Sequence, residues 1–186
     1  MPGLDAERVI SALRPPSRTF IDTGGPPTIV PAGSTLRLSL SNRTALDLPI
    51  GEIVAEAVAA RIRLRPRSRT ALVAVVQEAV LNAVLHGNLE MGNEGRCHSA
   101  GTWEWEQEIE RRLADPLVHG RRCEVRVRWS ATVILLRITD QGVGFEPVAV
   151  QDDALPWGRG LRIIAALALR SRWTRGGRTL IVRLAR

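Results

Sequence analysis

The chain has 186 residues, 45% of them apolar and 24% charged, which suits one compact domain and is too short for two full domains with a linker. Its 26 basic residues against 19 acidic ones give a net charge of +7, and every basic residue is arginine, which excludes the P-loop lysine and Schiff-base chemistry. Two cysteines, no signal-like apolar segment at the start, and a longest uncharged apolar run of only Ile163 to Leu169 predict a cytoplasmic protein with reduced thiols and no membrane partner.

Residues 1–33 combine a short helical pattern at Leu4, Val9, Ile10 and Leu13 with proline and glycine breakers, and are expected to form a loosely attached arm. The domain then occupies 34–186. Leu36, Leu38 and Leu40 alternate with Arg37, Ser39 and Ser41, which predicts a half-buried strand. Asp47 and Pro49 open a helix to about Leu64, and Pro66 separates it from a second helix that runs to His86 and stops at Gly87. The junction carries Arg61, Arg63, Arg65, Arg67 and Arg69, read as a solvated edge. Aromatic residues are scarce and tyrosine is absent, so no direct nucleic-acid partner is expected.

Residues at about 89–121 form a polar insertion with one helix, Trp103 to Leu113, in which Trp103 and Trp105 are expected to pack. Strands follow at about Cys123 to Trp129 and Thr132 to Asp140, the second apolar enough to suggest cover on both faces. A loop containing Gly142, Gly144, Pro147 and Pro156 leads to a helix, Gly160 to Leu169. A strand pair, Ser171 to Thr174 and Arg178 to Leu184, closes the chain around Gly176-Gly177. Helices among hairpin-connected strands give an α+β two-layer sandwich.

Three segments carry candidate chemistry. Between Ala71 and Leu85 only Gln77, Glu78 and Asn82 are polar. Glu78 and Asn82 share one helical face, where a carboxylate is costly to bury alone, so either a polar ligand, a structural hydrogen-bond pair or a strip of solvent meets them. In ITDQGVGFEP a hydrophobic strand ends at Asp140 beside Gly142 and Gly144, which suits a planar ligand but also occurs in plain turns and calcium loops. In WGRGLRII, Gly158, Arg159 and Gly160 precede an apolar helix, offering free amides to an anion or merely a tight approach. His86 reads as a helix-end residue packed on a neighbour, and Cys97, His98, His119 and Cys123 lack the pair spacing of a zinc site.

In this order, EAVLNAVLHGN, DQGVGF and GRGL resemble the N, G1 and G2 boxes of the GHKL superfamily, which includes DNA gyrase, heat-shock chaperone ATPases and histidine kinases. The form E-x3-N-A-x2-H-G, at Glu78, Asn82, Ala83, His86 and Gly87, is most similar to bacterial anti-sigma-factor serine/threonine kinases and their stand-alone ATP-binding relatives. The resemblance implies a Bergerat fold, with about three helices on one face of a mixed, mostly antiparallel sheet. It implies that Asn82 ligates a magnesium ion (Mg2+) on the phosphates of ATP, and that Asp140 accepts from the adenine amino group. Gly142 and Gly144 would line adenine and ribose, Gly158, Arg159, Gly160 and Leu161 would hold phosphates, and Thr179 would stand on the adenine side. Glu78 matches the general base of the kinase subgroup.

The expected function is then a kinase in a partner switch, phosphorylating a small anti-anti-sigma-like protein, with a sigma factor as a further partner and a homodimer as a further state. Its alternatives are a non-enzymatic ATP-dependent partner-binding module and a detached histidine-kinase-like catalytic domain.

Overall fold

The computed structural model describes residues 4–22, 35–92, 102–144 and 159–186. Asp5 caps α1 (Ala6–Ala12) by accepting the Arg8 N–H at 2.8 Å, and the helix buries Val9 and the following Leu13 completely. β1 (Thr19–Ile21) runs parallel to β2 (Leu36–Ser41), placing buried Phe20 beside Leu38. Arg61 donates to the carbonyls of Leu13 and Ser17. Residues 4–22 are therefore part of the fold, where a loosely attached arm was expected: three apolar side chains, Val9, Leu13 and Phe20, enter the core.

Ser41 caps a short helix absent from the sequence reading, α2 (Asn42–Asp47), by accepting the Thr44 N–H at 3.2 Å. α3 (Ile50–Ala59) and α4 (Pro66–Asn82) cross closely because Gly51 has no side chain: a Cβ there would lie 2.3 Å from the Val73 carbonyl oxygen. Gln77 accepts the Gly51 N–H at 3.1 Å across this crossing. The second helix does not stop at Gly87 but widens into a π-helical turn, Ala83–Asn88. By length and composition Pro66–Asn88 is long and apolar enough to cross a membrane. Here Leu72, Val75, Val76, Ala79 and Val80 are buried among α3 and the sheet, which accounts for their apolarity.

α5 (Thr102–Ala114) and α6 (Pro116–His119) form the insertion, which is anchored by Leu113, Val118 and the Arg43–Glu110 ion pair. Trp105 is half-buried against the core, whereas Trp103 is 65% exposed and does not pack as expected. β3 (Arg122–Trp129), β4 (Val133–Thr139), α7 (Arg159–Leu167), β5 (Arg170–Thr174) and β6 (Thr179–Ala185) complete the chain. The six strands are ordered β1-β2-β3-β4-β6-β5, all pairs antiparallel except the first.

α4 lies on β4 and β6, with α3 and α7 beside it. The result is a two-layer α+β fold with helices on one face of a mixed, mostly antiparallel sheet. Ile134, Leu136 and Ile138 of β4 face the helices, while Val133, Leu135 and Arg137 alternate with them and are only half-buried. Cover on both faces was expected for this strand. Its outer face instead keeps long aliphatic side chains beneath neighbouring arginines.

Candidate functional site

α4 carries Glu78 and Asn82 one turn apart, and the start of α7 is laid against both. A Cβ on Gly160 would lie 2.4 Å from Glu78 Oε2 and 3.3 Å from Asn82 Nδ2, so a side chain here would push the Glu78 carboxylate aside. Among the described residues the Glu78 carboxylate makes no hydrogen bond or ion pair. Among the same residues Asn82 Nδ2 is buried without a hydrogen-bond partner. A carboxylate, an amide and the positive end of a helix therefore converge on one point, where the helix end offsets the Glu78 charge and its remaining free amides can meet an anion.

A second polar centre lies where β4 ends. Asp140 is only 7% exposed and accepts the Gly142 N–H at 3.0 Å. Burial raises its carboxyl above the ordinary range, against the lowering effect of the Gly142 and Asp140 amides and of Arg178 and Arg121. The end of the π-helical turn packs directly on it: a Cβ on Gly87 would meet Asp140 Cγ at 2.5 Å, and one on Gly142 would meet the Gly87 carbonyl oxygen at 2.0 Å. Both glycines are required by this close approach of chain to chain.

Asn88 clamps the two segments. It is fully buried, its Oδ1 accepts the Gln141 N–H at 2.7 Å, and its Nδ2 donates to Asn42 Oδ1 at 2.7 Å. Asn42 in turn donates to the Val118 carbonyl at 3.1 Å, and Arg121 donates to the Asn88 carbonyl at 2.7 Å. The loop after Asp140 is thus fixed by a buried amide chain that the sequence reading overlooked. Asn88 closes the EAVLNAVLHGN segment, three residues past the apolar stretch that holds Glu78 and Asn82.

The other expected site residues divide. Arg159 opens α7 and is exposed, and Leu161 is half-buried against the core beside it. Gly144, at φ +83°, is laid against the β5–β6 turn, where a Cβ would meet the Gly176 carbonyl oxygen at 2.0 Å. Thr179 does not join Asp140. It pairs with Thr139 across the β4–β6 ladder, hydroxyl to hydroxyl at 3.1 Å, while the Asp140 N–H donates to the Arg178 carbonyl. Thr179 is thus fully buried in the ladder beside Thr139. Gly158 lies outside the described residues, as do Cys97 and His98. Cys123 is a core side chain whose thiol is pushed up by burial, and His86 Nδ1 is bonded to the Met91 carbonyl at 2.8 Å.

The magnesium ion and ATP that the resemblance implies fit this arrangement. The unpartnered Asn82 amide can offer its nitrogen to a phosphate oxygen or, with the group turned, its oxygen to a hard cation. Among the described residues no three of His, Cys, Asp and Glu are grouped to hold a metal, so Asn82 would be the side chain to hold a cation here. Compared with known proteins, residues 49–186 match the family model of the histidine kinase-like ATPase domain. No match was found among curated proteins.

Proposed function

The chain belongs to the histidine kinase-like ATPase family, a domain that binds ATP, and from that premise we propose that it is a serine/threonine protein kinase of the partner-switching type. The observation that supports this reading is the Glu78 carboxylate, half-buried, without a partner among the described residues, and beside Asn82 at the start of α7. Glu78 takes the proton from a serine or threonine hydroxyl as that oxygen bonds to the γ-phosphorus. The bond from this phosphorus to the β–γ bridging oxygen breaks, and ADP leaves.

Asp140 accepts from the adenine amino group, with Gly142 and Gly144 beside the ring and ribose. Asn82 holds the metal, and Gly158, Arg159, Gly160 and Leu161 meet the phosphates. Bound magnesium supplies neutralisation of phosphate charge. In this reading the phosphoacceptor is a small anti-anti-sigma-like protein, a sigma factor is a further partner, and the setting is cytoplasmic.

One observation favours a second reading, an ATP-gated partner-binding module. Glu78 lies against a helix N-terminus, where a carboxylate is stabilised without any catalytic duty. Single-turnover transfer of labelled γ-phosphate to candidate partners separates the two. For a kinase, Glu78→Gln keeps ATP affinity within a few-fold while transfer falls by about 10²-fold or more. Equal rates for parent and variant remove Glu78 from the mechanism. ATP binding without transfer by either protein leaves the binding module.

A further inference from the structure

The outer face of the sheet, which no helix covers among the described residues, is lined with arginine. One cross-strand row runs Arg37, Arg126, Arg137, Ile181, Arg172, and the next runs Arg128, Leu135, Arg183, Arg170. Arg37, Arg126 and Arg137 stand directly opposite one another on neighbouring strands, as do Arg183 and Arg170. Like charges so placed destabilise a sheet.

Only Glu124 offers a carboxylate on these strands, and it is shared by Arg37 at 2.9 Å and Arg126 at 2.8 Å. The guanidinium groups of Arg128, Arg137, Arg170, Arg172 and Arg183 make no hydrogen bond or ion pair among the described residues. Two adjoining concavities, of about 520 and 560 Å³, share Arg126 and Arg137. At the centre of the rows, Leu135 and Ile181 are half-buried between guanidinium groups.

We propose that this face binds an acidic segment of a partner protein, with apolar side chains seated on Leu135 and Ile181 and carboxylates on the flanking arginines. The guanidinium fork suits a carboxylate in two-point contact, and the surplus of positive charge supplies the complementarity. The apolar centre favours a polypeptide over a nucleic acid, because no aromatic ring lies in these rows for a base to stack on. Glu78 and Asn82 lie on the opposite side of the sheet, so the proposal does not rest on the kinase reading, and the first concavity reaches the proposed nucleotide site only at its rim, at Asp140 and Gln141.

The test is fluorescence anisotropy with three labelled probes: a glutamate peptide with interspersed leucines, an all-glutamate peptide, and a single-stranded oligonucleotide of equal charge. The full chain is expected to bind the mixed peptide more tightly than either other probe. Arg126→Gln with Arg137→Gln is expected to weaken that binding by about tenfold or more, since charge-assisted contacts are lost. The double variant removes a like-charge pair and so keeps the fold. Arg69→Gln, on the helical side where Arg69 pairs with Glu52 and Glu56, leaves peptide binding unchanged. Equal or tighter binding of the oligonucleotide, equal binding by the double variant, or no binding of any probe overturns the proposal. So does a homodimer that dissociates in the double variant while no probe binds, which would assign the face to a second copy of the chain.

Discussion

Replacing Asn88 by alanine tests whether the amide chain holds the Asp140 loop. The variant deletes two hydrogen bonds of 2.7 Å, leaving Asn42 Oδ1 and the Gln141 N–H without these partners. Asn42 is 2% exposed, so its orphaned oxygen carries much of the desolvation penalty, whereas Gln141 is exposed and recovers part of its loss from water. At roughly 1–3 kcal/mol for each buried polar group left unsatisfied, the expected cost is about 2–4 kcal/mol. A chain of this size loses about 2–4 °C per kcal/mol, so Tm drops by roughly 5 °C or more. Urea titration is the sharper assay: the midpoint falls while the slope stays constant. Pairing the change with Asn42→Ala gives a double-mutant cycle, and direct contact predicts a coupling of about 0.5–3 kcal/mol. A stability loss below about 0.5 kcal/mol, the ordinary range of surface changes, would refute the clamp.

Asp140→Asn is expected to abolish binding of a fluorescent ATP analogue while raising Tm at neutral pH. Burial raises the Asp140 carboxyl, so the folded state holds the proton more tightly than the unfolded state. Stability is therefore lost as pH rises from the ordinary value of about 3.9 through the raised one, and the asparagine variant should melt with the parent below that window but later above it. Coincident melting curves at every pH would contradict this. Gly51→Ala forces a Cβ to 2.3 Å from the Val73 carbonyl oxygen and is expected to cost about 1–3 kcal/mol in denaturant titration. Gly120→Ala meets nothing within 4 Å and should stay within about 0.5 kcal/mol of the parent.

Period-two and helical patterns made most elements readable. The leucines of β2, the valines of β3 and the apolar face of α4 lie in the core as their spacing requires. What escaped had weaker local signals. α2 follows its strand without a break, and three-residue β1 exists only because β2 offers it an edge. At the site, Glu78, Asn82 and Gly160 meet as helical periodicity and a glycine before a helix suggested. Asn88 was harder, because the π-helical turn changes the phase of the helix and a 3.6-residue period no longer says where its side chain points. Thr179 was placed by motif position, and in the ladder its hydroxyl pairs with that of Thr139.

The parallel pairing of β1 on β2 bears on how the protein can be dissected. A fragment cut at residue 49, where the family match begins, would lack both strands. It would remove Leu36, Leu38 and Leu40 from the interior and leave β3, with Val125 and Val127, as a bare edge. An unpaired apolar edge is a template for intermolecular pairing, so such a fragment should be recovered as aggregate. The polypeptide that folds begins upstream of the recognisable motif, with the short helix and strand that Arg61 fastens in place.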